Sequence, residues 1–252
     1  MQYAIWPELF FLEFDDTYLH GDILNSPDTD RVPELLFLHD DAPDKNRSVF
    51  NSLRQVLLNK YNLSSCSFDF IGHGSTGGDW NKTCMRHRTQ QITDVIDGCF
   101  DSQPLSVIAV GTGVCNIIQL LDKQRIASLV FITPVLPPQE LETLPFGLFS
   151  KGAGPNIQEQ WLSKPSRKVL GNFKGNVSLI TTTQDKTWSN WLQTKSRDNA
   201  QIEDRAYSVI SIPPDQKNLM QAANQHPKIL LKIAAIVDKT VAISHSQVVQ
   251  AS

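Results

Sequence analysis

The 252-residue chain carries 26 acidic and 23 basic residues, a formal net charge of −3. That balance leaves no basic footprint for nucleic acid and no Lys/Arg-rich amphipathic face for a membrane surface. The length suits one domain with a sizeable core, and no apolar run approaches the ~18 residues that a membrane span needs. Cys66, Cys84, Cys99 and Cys115 form neither a CxxC pair nor a zinc spacing, so reduced thiols of a cytoplasmic protein are expected, with no metal and no cofactor. The opening MQYAIWPELFFLEF holds Glu8 and Glu13 inside its apolar stretch and lacks a basic start, which makes it a poor signal peptide.

Residues 8–15 and 17–24 predict two strands joined by a tight turn, and the polar, proline-bearing stretch 25–33 predicts a loop. Leu35-Leu36-Phe37-Leu38 is a short continuous apolar run of the kind buried on both faces of a parallel sheet, and it ends in His39-Asp40-Asp41. Between Ser48 and Tyr61 the apolar positions Phe50, Leu53, Val56, Leu57 and Tyr61 follow helical spacing. SCSFDFIGHGSTGGDW (65–80) predicts a strand through Phe70 followed by a glycine-dense loop, and a helix follows at about 89–100. The apolar run 105–110 then meets a glycine turn and continues as a helical pattern to Leu121. A buried strand at 126–132 closes at Pro134. Residues 137–172, with paired prolines among Leu144, Phe146, Leu148, Phe149 and Trp161, predict a short cap over the sheet's carboxyl edge. Strands at 176–182 and 206–212 flank a segment holding Trp188 and Trp191, and a last amphipathic helix spans about 227–240. Strand alternating with helix over this length implies a parallel sheet with right-handed crossovers.

This order of parts resembles the α/β-hydrolase fold along nearly the whole chain, best over 35–136. Leu35–His39 is similar to the strand that leads into the family's HG oxyanion loop. Phe68-Asp69-Phe70-Ile71-Gly72-His73-Gly74 is similar to its FDxRGHG stretch, and Asp79-Trp80 continues the likeness to the serine-hydrolase branch. Ala109-Val110-Gly111-Thr112-Gly113 is similar to the nucleophile elbow, where G-x-S-x-G presents a strained serine between strand and helix. The resemblance implies one α/β domain: a mostly parallel, twisted sheet of about eight strands, helices on both faces, a short cap, and a strand order that reverses near the elbow.

It also implies a triad in chain order Ser, Asp, His. The nucleophile position falls on Gly111, which has no side chain. The acid position falls on Asp185, and the base position on Gln216, whose amide does not titrate near neutral pH. The oxyanion donors fall on the amides of Thr112 and of a residue just after His39, at Asp40. This sequence reads His39-Asp40-Asp41 instead of HG, and carboxylates there oppose an oxyanion unless they point away.

Plainer readings stand beside these. Gly111 suits the left-handed backbone of an elbow whatever its chemistry. Asp185 alone reads as a loop or capping carboxylate, and His73 as structural. Cys115 lies one turn into an apolar helix, where a free cysteine packs as a small hydrophobe. His39, Cys115, Phe146, Phe149, Trp161 and Trp188 are candidates for lining a pocket under the cap. The stretch Gly111-Thr112-Gly113 also opens like a dinucleotide fingerprint. It lacks the third glycine (Asn116 stands there) and an acidic residue at the end of the next strand, and four strands precede it.

The reading is therefore a catalytically degenerate hydrolase-fold protein that binds a small apolar ligand or a protein partner. The alternative is a small-ester hydrolase or lyase carried by Cys115, His39 or His73. A third reading, a purely structural interaction protein, requires a cap that leaves no cavity above Gly111. The degenerate reading carries an expectation of rescue: Gly111→Ser and Gln216→His should restore esterase activity together, with Asp40→Gly as a third change.

Overall fold

Side-chain alternation along the strands decides how the sheet is covered. In the computed structural model, which describes residues 7–26, 32–101, 103–135, 142–148, 164–183, 206–213, 215–216 and 218–251, eight strands form one sheet. They are β1 Glu8–Phe14, β2 Thr17–Leu24, β3 Leu35–Leu38, β4 Ser65–Phe68, β5 Leu105–Val110, β6 Ile126–Ile132, β7 Asn176–Thr182 and β8 Ala206–Ile210. Their order is β1-β2-β4-β3-β5-β6-β7-β8. The β1–β2 and β2–β4 pairs are antiparallel and every other pair is parallel. The order turns back between β3 and β5, so their carboxyl ends open the crevice where sites in such sheets form.

The helices are α1 Asn51–Tyr61, α2 Met85–Cys99, α3 Gly113–Ile118, the single turn α4 Phe146–Leu148, α5 Lys164–Asn172, α6 Leu219–Gln225 and α7 Pro227–Ala251. Leu36, Leu38, Phe68, Val107, Ala109, Leu129 and Phe131 point to one face, under Ile92 and Val95 of α2 and Val114 and Ile117 of α3. Leu35, Phe37, Ile108, Val110, Val130 and Ile132 point to the other, under Leu53 and Leu57 of α1 and Ile233 and Val237 of α7. Central strands covered on both sides are apolar at nearly every position, which is why LLFL and LSVIAV read as near-continuous runs, and the buried Ser106 hydroxyl is bonded to Ser128 (2.7 Å).

Several boundaries differ from expectation. The strand expected through Phe70 ends at Phe68 because the Thr76 hydroxyl interrupts the ladder, accepting from the His20 amide (2.9 Å) and donating to the Asp69 carbonyl (2.7 Å), and the Phe70 amide turns to the His39 ring (3.3 Å). The helix expected from 89 starts at Met85: Met85, Arg88, Ile92, Val95 and Ile96 form one buried stripe, with an arginine in it. The helix after the elbow ends at Ile118, the strand expected to 212 ends at Ile210, and α7 runs on to Ala251. Helix α6, unforeseen in the loop before α7, starts where the Asn218 side chain accepts from the amides of Met220 (2.9 Å) and Gln221 (3.1 Å). The expected cap reached to 172, yet α5 buries Leu170 in the same core cluster as Val177 and Leu179, so its end belongs with the sheet-covering helices. The rest of the cap between 149 and 163, and the segment holding Trp188 and Trp191, lie outside the described residues.

A buried ionic network ties the antiparallel end of the sheet to α1. Arg54 donates to the Asp22 carboxylate, to the Ser65 hydroxyl (2.9 Å) and to the Ser65 carbonyl (3.0 Å). Arg47 bridges Asp22 (2.8 Å) and Asp69. Asp69 also accepts from the amides of Arg47 (2.7 Å) and Ser75 (2.9 Å), which fixes the GHG loop that follows. Among the described residues no helix is long and apolar enough to cross a membrane.

Candidate functional site

Strand β5 delivers the chain into Gly111 at φ +57. The Gly111 amide donates to the Ile132 carbonyl (3.2 Å) and the Gly111 carbonyl accepts from Val135 (2.9 Å), so the turn is sewn to the end of β6. Left-handed backbone costs a residue with a Cβ roughly 1–2 kcal/mol, and glycine removes that cost. A second constraint is steric: a Cβ built on Gly111 would overlap the whole carboxyl group of Asp40. The space that an elbow side chain would enter is filled by a carboxylate from the neighbouring strand's loop.

That carboxylate does not point away. Asp40 Oδ1 accepts from the amides of Asp41 (2.9 Å) and Thr112 (3.0 Å) and from the Thr112 hydroxyl (2.9 Å). Two backbone amides converging on one oxygen are the geometry that stabilises an oxyanion in acyl transfer. The second amide comes from Asp41, and Asp40 contributes its side chain to this spot.

The donors are held from behind. His39, at the end of β3, is fully buried; its Nδ1 donates to the Asp40 carbonyl (2.6 Å) and its Nε2 accepts from the Phe70 amide (3.3 Å). Trp80 stacks on Phe146 (5.6 Å between ring centroids) and donates its indole N–H to the Asp41 carbonyl (2.7 Å). Arg88, at the buried stripe of α2, lies over the Phe70 ring (3.7 Å) and donates to the His39 carbonyl (2.9 Å) and the Thr112 hydroxyl (3.3 Å). One cation thus clamps both halves of the cradle. Arg88 was not anticipated, although it shares a helix face with Met85, Ile92 and Val95, a spacing that marks a buried charge.

Burial dominates the titrations here. It pushes the Asp41 carboxyl up to about 6; Asp40 beside it adds to the rise and Arg88 opposes it. Burial also draws Arg88 down to about 10, leaving it charged at neutral pH. His39 is pulled well below its usual value by burial and then by Arg88, and His73 down to about 4 for the same two reasons. The folded histidines bind fewer protons than the unfolded ones between about pH 4 and 6.5, so they make stability rise with pH there. Asp41 binds more protons folded than unfolded between about pH 4 and 6, so it makes stability fall. Two groups against one give a net gain on going from pH 4 to 6.5. Asp41→Asn should steepen that gain and raise the melting temperature at pH 7, measured by thermal unfolding across the range.

The other candidates separate. Burial pushes the Cys115 thiol up to about 12, which leaves almost no thiolate for nucleophilic work at neutral pH. His39 has both ring nitrogens engaged, and His73 spends Nδ1 on the Lys45 carbonyl (3.0 Å). Gln216 is buried, with its side-chain amide donating to Gln225 (2.8 Å). Phe146 is buried on Trp80 and Arg88. Asp185, Phe149, Trp161 and Trp188 lie outside the described residues. Among the described residues no group of His, Cys, Asp and Glu could hold a metal ion.

Strand order, crossover helices and an elbow at the switch point together define the α/β-hydrolase fold, and solved structures agree. A loop variant of the haloalkane dehalogenase DbeA from Bradyrhizobium elkanii superposes with a TM-score of 0.65 over 98% of this chain and 100% of its own, at 11% identity. Alpha/beta hydrolase domain-containing protein 10 from mouse gives 0.60 over 93% and 98%, at 14% identity. Est1E from Butyrivibrio proteoclasticus, with ferulic acid bound, gives 0.62 over 92% and 99%, at 11% identity. No protein-family model and no curated protein matches the sequence. Likeness at these identities establishes the fold, and chemistry has to be argued from the site.

Proposed function

We propose that this protein is a catalytically degenerate α/β-hydrolase-fold protein, one that binds a small molecule or a protein partner and does not hydrolyse. The observation that carries the reading is Asp40: its carboxylate fills the space above Gly111 and takes the hydrogen bonds that an acyl intermediate's oxyanion would need. A glycine elbow supplies no nucleophile, Gln216 supplies no base, and a resident negative charge repels a developing one. The inert Cys115 and the engaged His39 support the same reading.

One arrangement favours a second reading, a hydrolase or lyase with non-standard groups: Asp40 and Asp41 form a carboxyl pair in which burial raises Asp41 to about 6. Turnover separates the two. For the wild-type protein, p-nitrophenyl acetate hydrolysis should stay at the buffer rate between pH 5 and 8, and a fluorophosphonate should leave no covalent adduct by intact mass. Stoichiometric labelling, or turnover abolished by Asp40→Asn, would overturn the binding reading in favour of the carboxyl pair.

A further inference from the structure

We propose that Asp40 is a built-in ligand: its carboxylate occupies an anion cradle that takes the carboxylate of a small molecule in exchange. This deepens the binding reading above, since it names the ligand class and the place where it sits.

The cradle does not depend on its occupant. The Thr112 amide is placed by the elbow, which the Gly111–Ile132 and Gly111–Val135 backbone bonds hold to β6. The Asp41 amide is placed by the Trp80 indole on the Asp41 carbonyl, and by the His39 ring and Arg88 on the residues just before it. None of these contacts uses the Asp40 side chain, so its departure leaves two amides and a hydroxyl aimed at one point.

Charge makes that point selective. Arg88 is 1% exposed, donates to the Thr112 hydroxyl at 3.3 Å, and its buried Nε has no hydrogen-bond partner among the described residues. A buried cation whose own bonds all go to neutral oxygens favours an anion in the cradle it backs. The Asp41 carboxyl stands beside the same spot, which penalises a dianion and leaves a monocarboxylate as the fitting class. Asp40 is only partly buried, so its own carboxyl has solvent to turn to when displaced.

An internal competitor of this kind acts at an effective concentration in the millimolar range or above, so removing it should sharpen binding of an external carboxylate. The test uses the full chain, as wild type, Asp40→Gly and Asp40→Ala, titrated with 13C-labelled acetate and separately with inorganic phosphate by NMR. Folded Asp40→Gly or Asp40→Ala should bind acetate at least about tenfold more tightly than wild type and show no matching gain for phosphate. Thr112→Val in the Asp40→Gly background should weaken acetate several-fold. If both variants fold, by circular dichroism, and bind acetate no better than wild type, the proposal is overturned. An equal gain for phosphate would overturn the assignment to monocarboxylates.

If neither variant folds, the wild-type amide resonances of Asp41 and Thr112 decide. They should move together and saturate with acetate, and stay still in chloride of equal ionic strength. Two unmoved amides would overturn the exchange. Ester turnover by the wild-type protein would defeat the non-hydrolytic reading and leave the acetate result standing, so the two can fail separately.

Discussion

Gly111→Ala is expected to lower stability by about 2.5–5 kcal/mol, from two sources that a double-mutant cycle separates. Holding alanine at φ +57 costs roughly 1–2 kcal/mol. The new Cβ also evicts the Asp40 carboxylate from Asp41 N, Thr112 N and Thr112 Oγ1, and hydrogen bonds to a charged group contribute about 1.5–3 kcal/mol. With Asp40→Gly in place the second source is already gone, so the same Gly111→Ala change should then cost only the backbone part. Urea unfolding of the four members of the cycle should therefore give a coupling of about 1.5–3 kcal/mol. A coupling near zero would mean that Asp40 does not sit over the elbow in solution.

The same geometry orders the steps of any attempt to install hydrolysis. The resemblance alone implies that Gly111→Ser with Gln216→His brings activity, with Asp40→Gly as the third change to add. Asp40 comes first, because a seryl Cβ has to turn the carboxyl out of the cradle, and a carboxylate displaced beside the elbow still opposes an oxyanion. The double variant should be destabilised and inactive on p-nitrophenyl acetate. The triple variant should show the first turnover above wild type, with strongly non-additive contributions. Gln216 must also give up its bond to Gln225, so a triple variant that folds but stays inactive would unseat Gln216 as the base position.

Arg88→Met should be the other severe change, about 3–5 kcal/mol, because removing one partner of a buried charged set leaves the rest uncompensated. The His39 carbonyl and Thr112 hydroxyl lose their donor, and Asp41 loses the cation that holds its carboxyl down. Asp41 should then titrate above its present value of about 6, readable by carboxyl 13C NMR in any folded fraction. Arg88→Lys should rescue little, since an ammonium cannot lie flat on Phe70 while reaching two acceptors in fork geometry. Full stability with lysine would reduce Arg88 to a point charge and weaken its place in the cradle.

Much of the fold was legible because strand burial writes itself into composition. LLFL, LSVIAV and IASLVFI are apolar at nearly every position, since residues of each strand face helices on both sides. The elbow was legible as a strand meeting glycine, and φ +57 at Gly111 is the conformation that glycine accommodates. Helix α6 was not, because its start rests on a single cap, Asn218, and a short run with little periodicity. The early start of α2 was not legible either, because Arg86, His87 and Arg88 interrupt the apolar spacing of its first turn.

By itself, then, the sequence determined the strand–helix order, the absence of a side chain at Gly111 and the presence of carboxylates at Asp40 and Asp41 in place of a glycine loop. Only the tertiary structure decided where those carboxylates point. Asp40 and Thr112 are 72 positions apart and meet because β3 and β5 are parallel neighbours at the switch point of the sheet. A side chain's direction there follows from donors on two separate loops and from a buried cation on a third element, none of which local sequence reports. Convergence of distant groups on one oxygen is a property of packing, and packing made the Asp40 carboxylate the acceptor of amides from two separate loops.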